Sequence, residues 1–233
     1  MESLNQPVTV SALSQERRVA FYRKTYTHLA LAVLLFILVE TLFFQIPAVV
    51  EFALSLTVGW RWLLLLGGFM FATNYAEKMA VENHDRTKQY LALVLFVIAE
   101  AFIFIPLIFM ALYVAESGGQ NLLNQAAILT LSLFTGLSAV VLLTKKDFSF
   151  LRSAITIGGF VALGLIVAGT LFGFNLGLWF SVGMIVLASG SILYQTSNMV
   201  NRYSEDQYVG ASLGLFASLM LLFWYILSIL SRD

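Results

Sequence analysis

Seven apolar runs, each close to the length needed to cross a bilayer, constrain this chain more than any other feature. They are roughly residues 29–46, 60–76, 90–114, 126–143, 154–172, 176–200 and 208–230. A helix rises about 1.5 Å per residue and the hydrocarbon core is about 30 Å thick, so about 20 apolar residues span it. Backbone polar groups in hydrocarbon must be paired within the chain, which suits helices. The expected fold is an all-α integral membrane protein, a bundle of seven transmembrane helices. Composition agrees. Of 233 residues, 60% are hydrophobic and only 11% charged, against about 25% charged in a soluble domain.

Residues 1–27 read as a cytosolic tail and 28–233 as the transmembrane domain. Met1–Ser11 reads as disordered, and Gln15–Tyr26 as an amphipathic entry to the first helix. Pro47 is expected to end the first span, and residues 49–58 either begin the second or form a separate surface segment. No small-residue cleavage site follows a short apolar run, so the first span reads as the targeting signal.

Lys and Arg set the orientation. With a cytosolic N-terminus and seven spans, eleven basic residues fall in cytosolic segments and only Arg61 and Arg232 fall outside. The C-terminus is then external. Enzyme signatures are missing. The chain has no cysteine, so thiol chemistry and disulfides are excluded. Its two histidines, His28 and His84, form no His-Glu-x-x-His pattern, and no aspartate lies within a run. Neither a catalytic site, a cofactor, a metal nor a nucleic-acid partner is expected; the bilayer is.

Buried polar residues are the informative exceptions. In the sixth run Ser191, Gln195, Asn198 and Arg202 recur every three or four positions and share one helix face. In the seventh, Gly210, Gly214 and Ser218 form a ridge of small residues that permits close helix contact. Gln195 and Ser218 lie about 10 and 15 Å inside the cytosolic boundary, so they are expected to meet. Asn198 and Arg202 would then line a route to the cytosol. Two readings stand: interhelical hydrogen bonding worth about 1 kcal/mol, or the plug of a water-filled path. Glu40 and Glu100 lie about 16–18 Å from the cytosolic end of their spans. Glu40 is read as reaching the outer interface before Pro47. Glu100 is read as truly buried, either protonated or paired with Arg61. Small residues at 154, 158 and 162 and at 169, 173 and 177 read as helix-packing ridges.

Four segments carry a family resemblance: T-K-K-D-F-S-F-L at 144–151, F-G-F-N-L-G-L-W-F at 172–180, I-L-Y-Q-T-S-N at 192–198 and L-F-A-S-L-M-L-L-F at 215–223. With R-K-T-Y at 23–26 and the closing S-R-D, they resemble the Bax inhibitor family, in particular its bacterial YccA-like branch. The resemblance implies seven transmembrane helices, a cytosolic N-terminus and a last helix surrounded by the other six. It also implies two activities. One is a pH-sensitive calcium leak governed by acidic residues on the sixth and seventh helices. The other is association with the membrane protease FtsH and restraint of its action. The two acidic positions fall on Gln195 and Ser218 here. An amide and a hydroxyl do not titrate between pH 5 and 8 and carry no charge for a divalent cation. The sequence therefore favours an interaction protein of the bacterial inner membrane over a cation leak.

Overall fold

A computed structural model describes residues 9–82, 85–118 and 121–232. Among these lie eight α-helices: α1 (Gln15–Phe44), α2 (Pro47–Ser55), α3 (Arg61–Glu82), α4 (Arg86–Gly118), α5 (Leu122–Thr144), α6 (Leu151–Phe172), α7 (Gly177–Asn201) and α8 (Tyr208–Leu230). Six of them, α1 and α4 to α8, are long and apolar enough to cross a membrane. The second expected span falls on α3. Its 22 residues have the length, but Asn74, Glu77, Lys78 and Glu82 make its final turns polar. Pro47 opens α2, where its fixed φ and missing N–H suit the first turn. Residues 49–58 therefore do not start the second span. They fall mainly on this nine-residue helix, too short to cross a bilayer, which packs Val50 and Ala53 against Ile105 of α4.

α8 packs against α1, α3, α4, α5 and α7. In its most apolar stretch 61% of residues are buried, against 11% in the peripheral α6. Membrane helices associate through close packing rather than the hydrophobic effect, and aromatic rings fill much of this interface. Phe216 lies edge-on to Phe36 and Phe96, and Phe104 packs on Phe223 and Trp224.

The two glycine sets divide by role. Gly158 meets Leu187 of α7, so that part of the ridge packs as expected. Gly173 and Gly177 do not form a packing ridge. Both have positive φ, 74° and 71°; Gly173 caps α6 and Gly177 begins α7.

The N-terminal segment also departs from expectation. Residues 1–8 lie outside the described residues, but Thr9–Ser11 are placed rather than disordered. Thr9 pairs with Ser204 in an isolated antiparallel bridge, and the Val10 N–H donates to the Tyr203 carbonyl at 2.8 Å. Val10 and Leu13 are buried, and Arg17 forms an ion pair with Glu205. α1 then runs unbroken from Gln15 through residue 27, so the expected entry segment Gln15–Tyr26 and the first span are one helix.

Candidate functional site

The α7–α8 pair has a strict antiparallel register. Ser191 and Ser218 lie with their hydroxyls 2.8 Å apart. Ser218 donates its own proton to the Gly214 carbonyl one turn back, at 3.0 Å, so Ser191 is the donor to Ser218. One turn nearer the α7–α8 loop, the Gln195 carboxamide lies over Gly214. A Cβ built at 214 would be 3.0 Å from Gln195 Oε1. Gln195 therefore does not bond Ser218; it occupies space left by the absent side chain of Gly214. The third member of the ridge, Gly210, faces α3, where a Cβ would lie 3.2 Å from the Ala80 carbonyl oxygen.

The rest of the expected polar stripe is not one lining. Asn198 is buried, and its Oδ1 has no hydrogen-bond partner. Arg202 is exposed at the C-cap of α7. Two neighbours missed in the sequence carry more contacts. Thr196 lies 3.5 Å from Ser138 of α5. Ser197 accepts the Phe148 N–H at 2.9 Å and donates to Asp147 at 3.2 Å, tying the α5–α6 loop to α7.

Glu100 is buried in α4 at 5% exposure, and its Oε2 has no partner. It forms no ion pair with Arg61, which is exposed at the start of α3. Glu40, expected near the outer end of α1, is enclosed by other helices. It is 7% exposed and lines a cavity between α1, α4, α5 and α8. Its burial comes from the helices around it, which depth along α1 does not reveal.

A second cluster joins α1, α4 and α8 at their basic ends. The His28 ring lies 2.7 Å from the Lys24 carbonyl and 3.0 Å from the Tyr90 hydroxyl. Tyr90 lies 3.3 Å from Tyr208, whose hydroxyl accepts from Arg86. Lys24 and Arg86 both lie over the Tyr208 ring, a cation–π arrangement. No periodicity links residues so far apart in sequence, so only the fold reveals this cluster.

Two loop carboxylates at this end titrate low. The Ser149 backbone N–H and then its hydroxyl hold Asp147 below the ordinary carboxylate range, and the hydrogen bond from Arg17 does the same for Glu205. A depressed folded pKa adds stability above the unfolded value of about 4, lost as pH falls through the folded value. Both groups meet solvent, so the effect is small. Acidification to about pH 3 is expected to lower the amide-exchange protection, taken relative to the unstructured rate at the same pH, in the loops at 145–150 and 202–207. A D147N/E205Q variant should respond less steeply; an unchanged acid response would remove these groups as its cause.

A multi-pass helical bundle whose last two helices meet through hydroxyls, an amide and glycines is thus defined. The chain belongs to the Bax inhibitor family: the family described as "Inhibitor of apoptosis-promoting Bax1" matches residues 18–233. An uncharacterized protein of Pseudomonas aeruginosa is 38% identical over 119 residues, 51% of this chain and 53% of that protein. The "Modulator of FtsH protease YccA" of Escherichia coli K12 is 40% identical over 100 residues, 41% of this chain and 45% of that protein. Mouse "Protein lifeguard 4" is 28% identical over 242 residues, covering 98% and 92%. The chain spans about half the length of the bacterial relatives from P. aeruginosa and Vibrio cholerae that it matches.

Proposed function

We propose that this protein is a non-enzymatic, multi-pass protein of the bacterial inner membrane that binds and restrains an FtsH-type membrane protease. The observation that carries the reading is its 40% identity to a protein named as a modulator of FtsH. A second supports it: the two positions that the family resemblance assigns to a charged switch hold Gln195 and Ser218. Gln195 packs on Gly214, and Ser218 bonds Ser191 and Gly214. Their hydrogen bonding and packing serve helix contact, which is weak support for a calcium leak. In this reading α3 is a seventh span, α8 the central helix, the N-terminus cytosolic and the C-terminus external. The contacts of α8 with five other helices and the distribution of Lys and Arg favour that arrangement.

The test reconstitutes the protein with an FtsH-type protease and a membrane-protein substrate in one bilayer. Degradation of the membrane substrate should slow several-fold, while a soluble substrate is cut at an unchanged rate. Photo-crosslinking in cells should recover the protease. Absence of both the slowing and the crosslink sinks the reading. Calcium-dye vesicles address the leak. Flux equal to that of empty vesicles from pH 5 to 8 is expected, and a stepped, pH-dependent flux would favour the leak instead.

A further inference from the structure

A cavity of about 690 Å³ lies between α1, α4, α5 and α8, apart from the α7–α8 contacts. Small-molecule sites commonly enclose about 300–1,000 Å³. α1 packs on α2, α4 and α8, and α5 on α4, α7 and α8. Ile37 on α1 and Leu131 on α5 border the cavity and are more than half exposed. The mouth therefore opens sideways between α1 and α5, toward the surface that lipid covers.

Most of the lining is apolar, but two deeply buried polar groups in it lack partners. Neither carboxylate oxygen of Glu40 has a hydrogen bond, nor does the hydroxyl of Thr130, which is 2% exposed. A carboxylate away from water is costly without a positive or hydrogen-bonding partner. No Lys, Arg or His lines the cavity, so the chain supplies no positive partner. The site is built to accept donors and positive charge and to refuse anions. Phe36, Phe44 and Phe223 line it as well, and aromatic faces attract organic cations. A hydrated metal ion fits less well. Calcium takes six to eight oxygens, whereas the lining offers one carboxylate beside the neutral side chains of Thr41, Gln45, Asn124 and Thr130, and the described residues hold no group of three or more His, Cys, Asp or Glu suited to a metal.

We propose that this cavity binds an amphiphilic amine from the bilayer. Its ammonium pairs with Glu40, with Thr130 as a second acceptor, and its apolar body packs on Phe36, Phe44 and Phe223. The ligand class is one positive nitrogen on a compact hydrocarbon body, admitted between α1 and α5. This site is independent of any protease partner.

The test titrates the protein in nanodiscs with 1-adamantylamine, and separately with 1-adamantanol, which keeps the hydrocarbon cage and lacks the charge. Saturable binding is read by ligand-observed NMR and by the shift in unfolding temperature. The amine should bind and raise the unfolding temperature, and the alcohol should bind at least tenfold more weakly. Glu40→Gln should lower amine affinity at least tenfold, whereas Glu51→Gln, on the exposed face of α2, should leave it unchanged. Should Glu40→Gln fold poorly, Leu131→Trp fills the mouth with Glu40 intact and should also block the amine. Equal binding of amine and alcohol overturns the proposal. So do full affinity in Glu40→Gln, full affinity in Leu131→Trp, no saturable binding, and displacement of the amine by micromolar calcium.

Discussion

Gly210→Leu is expected to destabilise the folded bundle by about 3 kcal/mol, near the upper end of ordinary overpacking. At Gly210 α8 packs tightly on α3. Even a Cβ there would lie 3.1 Å from Val81 Cγ2 and 3.2 Å from the Ala80 carbonyl oxygen. A side-chain tip can rotate away, but a carbonyl held within α3 can yield only if the helix moves. The same end of α3 accepts a hydrogen bond from Gln207, whose Nε2 donates to the Val81 carbonyl at 3.1 Å. Pushing α3 outward therefore strains that bond too. Gly214→Ala is the matched control. There the neighbours are the terminal atoms of Gln195, free to shift by a few tenths of an ångström. Alanine is also favoured over glycine in a helix by up to about 1 kcal/mol, so the two terms offset and stability should barely change. Unfolding midpoints in one detergent compare the three proteins. A Gly210→Leu variant as stable as the parent would mean that α8 does not approach α3 at this point.

These glycines also show what a one-dimensional reading can reach. A spacing of four places Gly210, Gly214 and Ser218 on one face, and so it does, but it cannot say which helix that face meets. The ridge is shared: Gly210 goes to α3, Gly214 and Ser218 to α7. The register was closer to hand. Ser218 lies ten residues from the start of α8, and Ser191 lies ten from the end of α7, while Gln195 lies only six from it. Equal distances from one turn pair Ser191 with Ser218, and the about 5 Å mismatch for Gln195 is one helical turn. The ends of α8 follow the expected span because charged residues flank it on both sides. The second span, expected to cover at least residues 60–76, extends in α3 to Glu82, and Ala80 and Val81 in its last turns pack on α8. The burial of Glu40 escapes a one-dimensional reading for a related reason. Distance along a helix measures depth in the bilayer, whereas burial depends on neighbours from α4, α5 and α8.

Val10→Asp should release the N-terminal segment while leaving the helical bundle folded. Val10 is fully buried, its N–H is bonded to Tyr203, and the short 3-10 helical turn Val10–Ala12 carries it against α7 and α1. Burying a valine is worth about 1.5–3 kcal/mol, and a carboxylate in its place adds a desolvation cost. A terminal segment escapes that cost by undocking, so the loss is capped at the free energy of docking. At about 2 kcal/mol that corresponds to roughly a 30-fold rise in the undocked population. Cleavage of a transiently opened segment follows that population when reclosing is fast. Thermolysin, which cuts before large apolar residues, should then cut the Ala12–Leu13 bond about 30-fold faster in Val10→Asp than in the parent, both in nanodiscs, with the remaining fragment unfolding at the parental temperature. Glu205→Gln, which weakens only the solvent-reached pair with Arg17, should accelerate cutting far less. Equal cutting of parent and Val10→Asp would show that the segment from Thr9 to Leu13 is not docked in solution. The outcome bears on the proposed protease partner as well. A protease that enters from the N-terminal side must pull Val10 and Leu13 out before it reaches α1. On that argument Val10→Asp should shorten the lifetime of the protein in cells that contain the protease and leave it unchanged in cells that lack it.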